Sequence, residues 1–244
     1  MSLIGKLAVI SGAGSGIGRA TCNILVREGA TIIAVDRNGE SAAATIKSLD
    51  SNSHMSLEMD VSSSDSVQAA LNEMISKYKK PPSIVVNSAG ITKDNFLLKM
   101  SEQDFDDVIS VNLKGTFLVM KSFAQAMIDH NVGAGSIINL ASIVGKTGNI
   151  GQSNYASSKA GVESMTRVAS KEFGKFNIRV NAILPGFITS PMTDKIPDNI
   201  KEKFVQLTAM KRFGQPEEVA EVISFLASDR SSFVNGTSIE VTGG

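Results

Sequence analysis

Tyr155 and Lys159, four residues apart, are the first pair in this sequence whose side chains could move a proton. On a helix, residues at this spacing lie on one face, so the phenol and the ammonium would be neighbours. A free tyrosine titrates at about pH 10, and a nearby cation stabilises its phenolate form. Lowering the pKa by about three units corresponds to about 4 kcal/mol. The pair therefore indicates acid/base chemistry near neutral pH, although its spacing alone also fits an exposed helix face.

Two upstream side chains would complete such a site. Ser142 follows an apolar run, and its hydroxyl could donate a hydrogen bond to a carbonyl oxygen. Asn112 carries a carboxamide that could order a water molecule for proton relay. Taken singly, Ser142 also fits a serine at a strand end, and Asn112 fits a polar residue that bends a helix. Together with Tyr155, they predict acid/base chemistry at a carbonyl group.

A glycine-rich segment, Ser11 to Gly18, follows the first apolar run and opens into a helical pattern. Its glycines permit a tight turn, and they let backbone N–H groups approach a pyrophosphate at the positive end of the helix. The alternative is an ordinary turn between a strand and a helix. The segment predicts a dinucleotide site whose contacts are Gly12, Ser15, Gly16, Ile17 and Gly18.

Asp36 stands eighteen residues after Gly18, at the end of the second apolar run. A carboxylate in this position binds the ribose hydroxyls of adenosine and repels a 2′-phosphate, which favours NAD over NADP. The alternative is an aspartate that only starts a turn. Arg37, the next residue, could instead accept a phosphate or stack on adenine. We expect NAD, with both Asp36 and Arg37 at the site.

Further candidates follow other strand-like runs. In an open parallel sheet, a ligand lies beyond the carboxyl ends of the strands. Asp60 and Val61 follow one such run, and Asn87, Ala89 and Gly90 end or follow another. These residues are therefore predicted to line the adenine and ribose sides of the same crevice.

The order of apolar runs and helical patterns predicts the fold. Short apolar runs alternate with longer segments of helical spacing, and Ser101 with Asp104 marks a helix start. This alternation predicts one doubly wound α/β domain of the Rossmann type over residues 1–244, with an insertion at about 187–215 that could form a lid. The predicted strands are Leu7 to Ile10, Thr31 to Val35, Ile84 to Val86, Ile137 to Leu140, Arg179 to Leu184 and Ser238 to Val241. The predicted helices are Gly18 to Glu28, Ser64 to Tyr78, Glu102 to Ile128 and Tyr155 to Phe173.

The composition argues against several classes of protein. The chain has 24 basic and 24 acidic side chains, so no net charge would hold nucleic acid or an anionic membrane. The single cysteine, Cys22, is incompatible with an internal disulfide framework. No apolar run is long enough to span a membrane, and Met1 to Ile10 lacks the pattern of a signal peptide. We expect a soluble protein that binds neither nucleic acid nor a membrane.

Taken together, these motifs resemble those of the short-chain dehydrogenase/reductase family over essentially the full chain. The resemblance implies Tyr155 as acid/base, Lys159 as the residue that lowers its pKa and holds the nicotinamide ribose, Ser142 on the substrate oxygen and Asn112 on a relay water. It also implies NAD-dependent interconversion of a secondary alcohol and a ketone, without a metal ion. The residues that it adds at the nicotinamide end are Pro185, Gly186, Ile188 and Thr189.

The stretches Ser142 to Gln152 and Phe96 to Ser101 are most similar to the acyl-thioester branch of this family. They imply oxidation of a (3R)-3-hydroxyacyl thioester, of a 17β-hydroxysteroid, or of both. Gly133 and Phe176 stand where bacterial relatives carry arginines that dock acyl carrier protein. The alternatives are an NADPH-dependent 3-oxoacyl-carrier-protein reductase and a mainly structural NAD-binding subunit. The resemblance further implies a homotetramer, or a heterotetramer with a related reductase subunit, in the mitochondrial matrix or, alternatively, the cytoplasm.

The insertion at about 187–215 mixes apolar and basic side chains. The apolar groups could cover an acyl chain or a steroid, and the cations could meet phosphates of coenzyme A. An amphipathic helix with a solvated basic face explains the pattern equally well. The apolar residues are Phe187, Met192, Ile196, Phe204 and Met210, and the basic residues are Lys195, Lys201, Lys203, Lys211 and Arg212.

Overall fold

A single parallel sheet of seven strands forms the centre of the computed structural model, which describes residues 2–49, 53–190, 193 and 197–244. Its strand order is β3-β2-β1-β4-β5-β6-β7, and every neighbouring pair is parallel. The strands are Leu7–Ser11 (β1), Thr31–Asp36 (β2), Met55–Glu58 (β3), Ile84–Asn87 (β4), Gly135–Leu140 (β5), Ile178–Pro185 (β6) and Ser238–Val241 (β7). The predicted doubly wound α/β fold is confirmed.

Helices cover both faces of this sheet. One face packs against α3, α5 and α7, and the other against α1, α2 and α9. The helices are Gly16–Arg27 (α1), Gly39–Lys47 (α2), Ser64–Tyr78 (α3), Glu102–Ile109 (α4), Thr116–Asp129 (α5), Val144–Thr147 (α6), Ser153–Phe173 (α7), Asp198–Leu207 (α8) and Pro216–Ala227 (α9).

The central strands are continuous apolar runs because both of their faces are covered. In β1, Val9 belongs to the core under α3 and α5, whereas Ala8 and Ile10 belong to the core under α1 and α9. Successive side chains of a strand point to opposite faces, so one short run supplies both cores. This double burial explains why the sequence shows unbroken apolar runs rather than alternation.

The strand β3 was not among the predicted strands. It has only four residues and lies at the edge of the sheet, and its side chains are partly exposed. An edge strand with one paired side needs no long apolar run, so the apolar signal is weak there. Helix α2 was also missed, since its Ala-rich sequence buries only Ala42 and Thr45.

The predicted helix from Glu102 to Ile128 is present, but a π-helical turn divides it. The turn spans Ser110–Gly115 and joins α4 to α5. The predicted start at Ser101 is confirmed, because its hydroxyl accepts the backbone N–H of Asp104 at 3.1 Å. Single π turns inside α-helices often occur at functional sites. Here the turn contains Asn112.

The strand order creates a crevice at the carboxyl ends of β1 and β4. From β1 the chain proceeds outward through β2 to β3, and then crosses to β4 on the other side of β1. Ligands of open α/β sheets bind at such a reversal. The insertion after β6 contains α8 near this edge, and its role as a lid remains a prediction. Pro191, Met192, Lys195 and Ile196 lie outside the described residues.

Among the helices that the structure describes, none is both long enough and apolar enough to cross a membrane.

One buried histidine links the fold to pH. His54 is 7% exposed, and its Nδ1 accepts the backbone N–H of Ile32 at 3.1 Å. This hydrogen bond requires a neutral imidazole. Burial, and next the charge of Lys77, lowers the pKa of His54 from 6.5. Because the folded pKa lies below the unfolded pKa, the contribution of His54 to stability is complete above the unfolded pKa and decreases as the pH falls below it.

We expect the free energy of unfolding of the wild type to fall between about pH 7.5 and about pH 5.5. His54→Leu removes the acceptor for the N–H of Ile32, so it should cost about 1–3 kcal/mol at the higher pH and flatten the pH dependence. Chemical denaturation at both pH values measures this. The control is His130→Leu, since His130 is the other histidine and is exposed. A wild-type pH dependence in His54→Leu would contradict the assignment.

Candidate active site

A cavity of about 1010 Å³ opens at the carboxyl ends of β1, β2, β4, β5 and β6. Most of the predicted site residues line it, so the fold brings together side chains that are far apart in the chain. Those that line the cavity are Gly12, Ser15, Gly16, Ile17, Gly18, Asp36, Arg37, Asp60, Val61, Ala89, Gly90, Ser142, Tyr155, Lys159, Pro185, Gly186 and Ile188. Asn87, Asn112 and Thr189 do not.

Two glycines of the turn between β1 and α1 have no room for a side chain. Gly12 has φ +66°, and a Cβ atom there would lie 2.9 Å from the backbone of Ala89. A Cβ on Gly18 would lie 2.2 Å from the carbonyl oxygen of Gly12. The N-cap residue of α1, Ser15, forms no side-chain cap, so the first backbone N–H groups of α1 are not capped by it. Such a helix N-terminus, with glycines around it, suits a pyrophosphate.

Asp36 ends β2 with its carboxylate held by backbone. Oδ2 accepts the N–H of Gly14 at 3.0 Å, and Oδ1 accepts the N–H of Asn38 at 3.0 Å. Each oxygen keeps a lone pair for another donor. Arg37 is exposed, and its charge helps to lower the pKa of Asp60, after the hydrogen bonds from Ser62. The carboxylate of Asp36 is therefore fixed, whereas Arg37 stands beside it on the surface of the cavity.

The segment after β4 is fastened to β1 rather than free. The hydroxyl of Ser11 accepts the N–H groups of Ser88 at 3.1 Å and Ala89 at 3.2 Å. Asn87 is 4% exposed, and its Nδ2 donates to Oδ1 of Asn139 at 2.8 Å. Asn87 thus joins β4 to β5 and does not line the cavity, so its predicted contact on the ribose side stays a prediction.

Tyr155 lies in the first turn of α7, beside Ser142. Burial raises the pKa of Tyr155 above its ordinary value of 10.0, and a hydrogen bond with Ser142 lowers it by less. The charge of Asp94 adds to the rise. Groups of the protein alone therefore favour the neutral phenol. The expectation that positive charge brings the phenol toward neutral pH stays a prediction, because the charge of an oxidised nicotinamide is not among these groups.

Lys159 is 5% exposed, and its ammonium donates to the carbonyl oxygen of Leu140 at 2.7 Å. Burial lowers the pKa of Lys159 from 10.5 to about 8. Its Nζ lies 5.6 Å from the centre of the Tyr155 ring. The phenol and the ammonium share one face of α7, as predicted, but the ammonium is held by the end of β5. Below about pH 8 it supplies a buried cation to the cavity wall.

Asn112 fastens the π turn to the segment after β4. Its Oδ1 accepts the N–H of Ile91 at 2.9 Å, and its Nδ2 donates to the carbonyl of Ile91 at 3.0 Å and to Oγ of Ser158 at 3.1 Å. Both Nδ2 hydrogens are engaged within the protein, whereas Oδ1 keeps one lone pair, so the expectation that this carboxamide orders a water molecule stays a prediction. A Cβ on Gly90 would lie 3.3 Å from Oδ1 of Asn112 and 3.5 Å from Nζ of Lys159. Asn112 therefore keeps this wall of the cavity in place.

The segment after β6 reaches the same cavity. Gly186 packs so closely that a Cβ would lie 3.0 Å from Cα of Thr242. Ile188 is buried and lines the cavity, whereas Thr189 is exposed and its hydroxyl lies 3.5 Å from Nε2 of Gln215. The hydroxyl of Thr193 bonds to the carbonyl of Ile188 at 2.9 Å, and Thr193 lines the cavity. Thr193 therefore lines the cavity and Thr189 does not, and the contact of Thr189 with the nicotinamide end stays a prediction.

Sequence reasoning missed a polar group at the mouth of the cavity. Gln152 donates from Nε2 to Asp94 at 2.9 Å and accepts from Asn149 at 3.0 Å, and all three residues line the cavity. It also missed Asn154, whose Nδ2 donates to the carbonyl of Lys93 at 2.9 Å. A polar residue directly before Tyr155 was the available signal for Asn154. No spacing rule indicated Asp94, because its contacts come from another part of the chain.

Aromatic residues cover the substrate side. The rings of Phe187 and Phe204 stack with centroids 3.9 Å apart, and both line the cavity. The basic residues of this segment behave differently from expectation. Arg212 forms an ion pair with Glu218 at 2.6 Å, and Lys211 donates to the carbonyl of Gln206 at 2.6 Å. Met210 is exposed and does not line the cavity. Arg212 and Lys211 are thus engaged within the protein.

Comparison with known proteins places the chain in a family. A family model described as enoyl-(acyl carrier protein) reductase matches residues 12–244. The chain belongs to the short-chain dehydrogenase/reductase family. The (3R)-3-hydroxyacyl-CoA dehydrogenase of Mus musculus is 48% identical over 253 residues, which cover 100% of this chain and 97% of the mouse protein. The 3-oxoacyl-(acyl-carrier-protein) reductase of Thermotoga maritima is 45% identical over 246 residues, with coverage of 100% and 99%.

A solved structure extends the similarity to three dimensions. Levodione reductase matches with a TM-score of 0.92 and 34% identity, covering 99% of this chain and 98% of that chain. This short-chain dehydrogenase/reductase is therefore an oxidoreductase of a family that uses a nicotinamide cofactor. The residues present fit such a dinucleotide, since the glycine turn leaves room for a pyrophosphate and Asp36 offers acceptors beside it.

Gly18→Ala tests the glycine turn. The added Cβ would collide with the carbonyl oxygen of Gly12, 2.2 Å away. We expect NADH to bind at least about tenfold more weakly, because the turn must move away from the pyrophosphate position. The measurement is NADH fluorescence titration, with circular dichroism to verify folding. Gly133→Ala is the matched control, since nothing lies within 4 Å of its Cβ position. Equal affinity in the two variants would contradict the assignment of the turn.

Proposed function

We propose that this protein oxidises the secondary alcohol of a (3R)-3-hydroxyacyl thioester to the ketone with NAD⁺. One observation carries the proposal. Tyr155, Ser142 and the buried ammonium of Lys159 line a cavity whose other end is the glycine turn and Asp36. A dinucleotide that extends from the turn along the strand ends would bring its reactive ring toward Tyr155.

The chain's own residues supply placement and proton transfer. Ser142 orients the substrate oxygen, and Tyr155 takes the hydroxyl proton as the carbinol carbon loses its hydride. Lys159, anchored on Leu140, contributes positive charge and a donor for the nicotinamide ribose. When bound, the oxidised nicotinamide accepts that hydride and adds positive charge, which favours the phenolate of Tyr155. Asn112 acts by positioning the loop at Ile91 rather than by touching a reactant.

The preference for NAD⁺ rests on Asp36. Its carboxylate is fixed at the end of β2 by two backbone amides, so it cannot turn away from a ligand at low cost. A 2′-phosphate would meet this negative charge, whereas a ribose diol can donate to it. Ser15, which lines the same end, adds no cation for a phosphate. Arg37 favours the alternative NADPH-dependent reduction of a 3-oxoacyl thioester, and cofactor kinetics separate the two.

The substrate class rests on the apolar wall and on the named relatives. Phe187, Phe204 and Ile200 line the region beyond Tyr155, where an acyl chain would find an apolar surface. Gly133 and Phe176 are exposed and uncharged, so the arginines that would dock acyl carrier protein are missing, which favours a coenzyme A thioester. Because the stacked rings also offer a flat apolar face, estradiol is the second substrate to assay. Values of kcat/KM for 3-hydroxyacyl-CoA thioesters of several lengths and for estradiol test the class directly.

We also propose assembly into a tetramer, either of identical chains or with a related reductase subunit. The outer faces of α4, α5 and α7 expose Phe105, Phe117 and Val168, by 39%, 43% and 54%. Light scattering of the purified chain gives its oligomeric state. Activity of the purified chain alone would argue against a mainly structural role.

The resemblance to the acyl-thioester branch supports a location in the mitochondrial matrix, with the cytoplasm as the alternative, and cell fractionation tests this.

Tyr155→Phe should abolish turnover while NADH still binds, because the substitution removes only the proton acceptor. We expect kcat with a 3-hydroxyacyl-CoA to fall at least about a thousandfold. Steady-state kinetics and NADH titration are the measurements. The control is Tyr78→Phe, since Tyr78 is the other tyrosine and its hydroxyl donates to the carbonyl of Ser53, outside the cavity. Substantial turnover by Tyr155→Phe would remove Tyr155 from the mechanism.

Asp36→Asn should shift the cofactor preference toward NADP⁺. The amide keeps one of the two oxygens that accept backbone N–H groups, loses the other, and removes the charge that opposes a 2′-phosphate, so circular dichroism must verify folding. We expect the ratio of kcat/KM for NAD⁺ to that for NADP⁺ to fall about tenfold. Steady-state kinetics with each cofactor measure the ratio, and Asp106→Asn on α4 is the control. A wild type that prefers NADP⁺ would contradict the assignment.

A further inference from the structure

The cavity carries few formal charges, and they are unevenly distributed. Among the described residues that line it, the charged ones are Asp36, Arg37, Asp60, Asp94 and Lys159. The first three follow β2 and β3, at the end assigned to adenosine. Lys159 and Asp94 remain beside Tyr155. Within the described part of the chain, the charges that a substrate meets near its reacting carbon are therefore the ammonium of Lys159 and the carboxylate of Asp94.

The carboxylate of Asp94 is held in place at the mouth of the cavity. Gln152 donates to its Oδ2 at 2.9 Å, and Asn149 in turn donates to Gln152 at 3.0 Å. The backbone N–H of Asn95 donates to the carbonyl of Gly151 at 2.9 Å, so the loop after β4 is joined to the segment before α7. These contacts hold the loop that carries Asp94 against the segment before α7.

Neighbouring cations do not neutralise this carboxylate directly. The ammonium of Lys93, the preceding residue, forms ion pairs with Asp107 at 2.7 Å and Asp104 at 3.0 Å. The ammonium of Lys159 donates to the carbonyl of Leu140 at 2.7 Å. The negative charge of Asp94 is felt at the phenol, because it raises the pKa of Tyr155 after the larger effect of burial.

We propose that Asp94 is a specificity-determining residue, which disfavours substrates that carry a carboxylate close to the reacting carbinol and so favours uncharged thioesters. The inference rests on the proposed function and adds the reason for its substrate class. A free 3-hydroxy acid would bring its carboxylate into the cavity where Asp94 is fixed, and like charges repel at that range. A thioester of the same acid is neutral at that position and carries the charges of coenzyme A far from the reacting carbon. The effect is moderate because Asp94 is exposed to water.

The test compares two small substrates that differ in this charge. (R)-3-hydroxybutyryl-N-acetylcysteamine is an uncharged thioester, and (R)-3-hydroxybutyrate is the corresponding carboxylate. The measured quantity is the discrimination ratio, which is kcat/KM for the thioester divided by kcat/KM for the carboxylate, with NAD⁺. In Asp94→Asn we expect this ratio to fall about three- to tenfold, as for removal of one partly screened like charge. In Asp106→Asn, which removes an exposed charge from α4 outside the cavity, the ratio should stay at the wild-type value.

The pH profile gives a second readout, which a purely structural role of Asp94 would not move. Among the residues that the structure describes, Lys159 on α7 and Asp94 on the loop after β4 are the charged groups that face Tyr155, whereas β5, β6 and α8 contribute the neutral residues Ser142, Phe187 and Phe204. Removing Asp94 removes a charge that raises the phenol pKa. The rise of kcat/KM with pH for the thioester should therefore shift to lower pH in Asp94→Asn.

Salt provides a measurement that needs no variant. In the wild type, the discrimination ratio should fall as the NaCl concentration increases from about 0.01 M to about 0.5 M, because salt screens the repulsion. If Asp94→Asn keeps the wild-type ratio while the wild type oxidises the thioester, the specificity-determining role of Asp94 is wrong and the proposed function stands. If the wild type oxidises neither compound, the proposed function is wrong, and so is the specificity-determining role of Asp94.

Discussion

The buried ammonium of Lys159 is the constraint on which the site depends. A cation with 5% exposure is tolerated only where an acceptor meets it, and the carbonyl of Leu140, 2.7 Å away, is that acceptor. This bond fixes the start of α7 against the end of β5. It therefore sets the distance between Tyr155 on the helix and Ser142 just after the strand. This hydrogen bond is thus one of the contacts that position the reaction site between a helix and a sheet.

The same burial decides the electrostatics of the phenol. Burial lowers the pKa of Lys159 to about 8 and raises that of Tyr155, so the protein alone keeps a neutral phenol beside a weakened cation. The negative charge of Asp94 also raises the pKa of Tyr155. We propose that an oxidised nicotinamide adds the positive charge that makes Tyr155 more acidic. The proton acceptor would then become competent when the oxidant is bound.

Several features of the fold and the site could be predicted from the sequence, because a single physical reason accounts for the residue types found there. The apolar runs predicted the central strands because both of their faces are covered, and the glycines predicted the turn at Gly12 and Gly18 because side chains there would collide. The hydrogen bonds of Asn112 with Ile91 and of Asp94 with Gln152 could not be predicted, since the partners come from other segments of the chain. The rise in the pKa of Tyr155 could not be predicted either, because it depends on burial, and the spacing of residues does not show how buried a side chain is.

The most direct test follows the ionisation of Tyr155 itself. The chain has two tyrosines, so carbon-13 at the tyrosine Cζ gives two signals, and Tyr78→Phe identifies the one from Tyr155. We predict that in the free protein this signal titrates above 10.0, and that saturating NAD⁺ lowers its pKa by at least about one unit. A phenol that already titrates below 10.0 without NAD⁺, or one that NAD⁺ leaves unchanged, would contradict it.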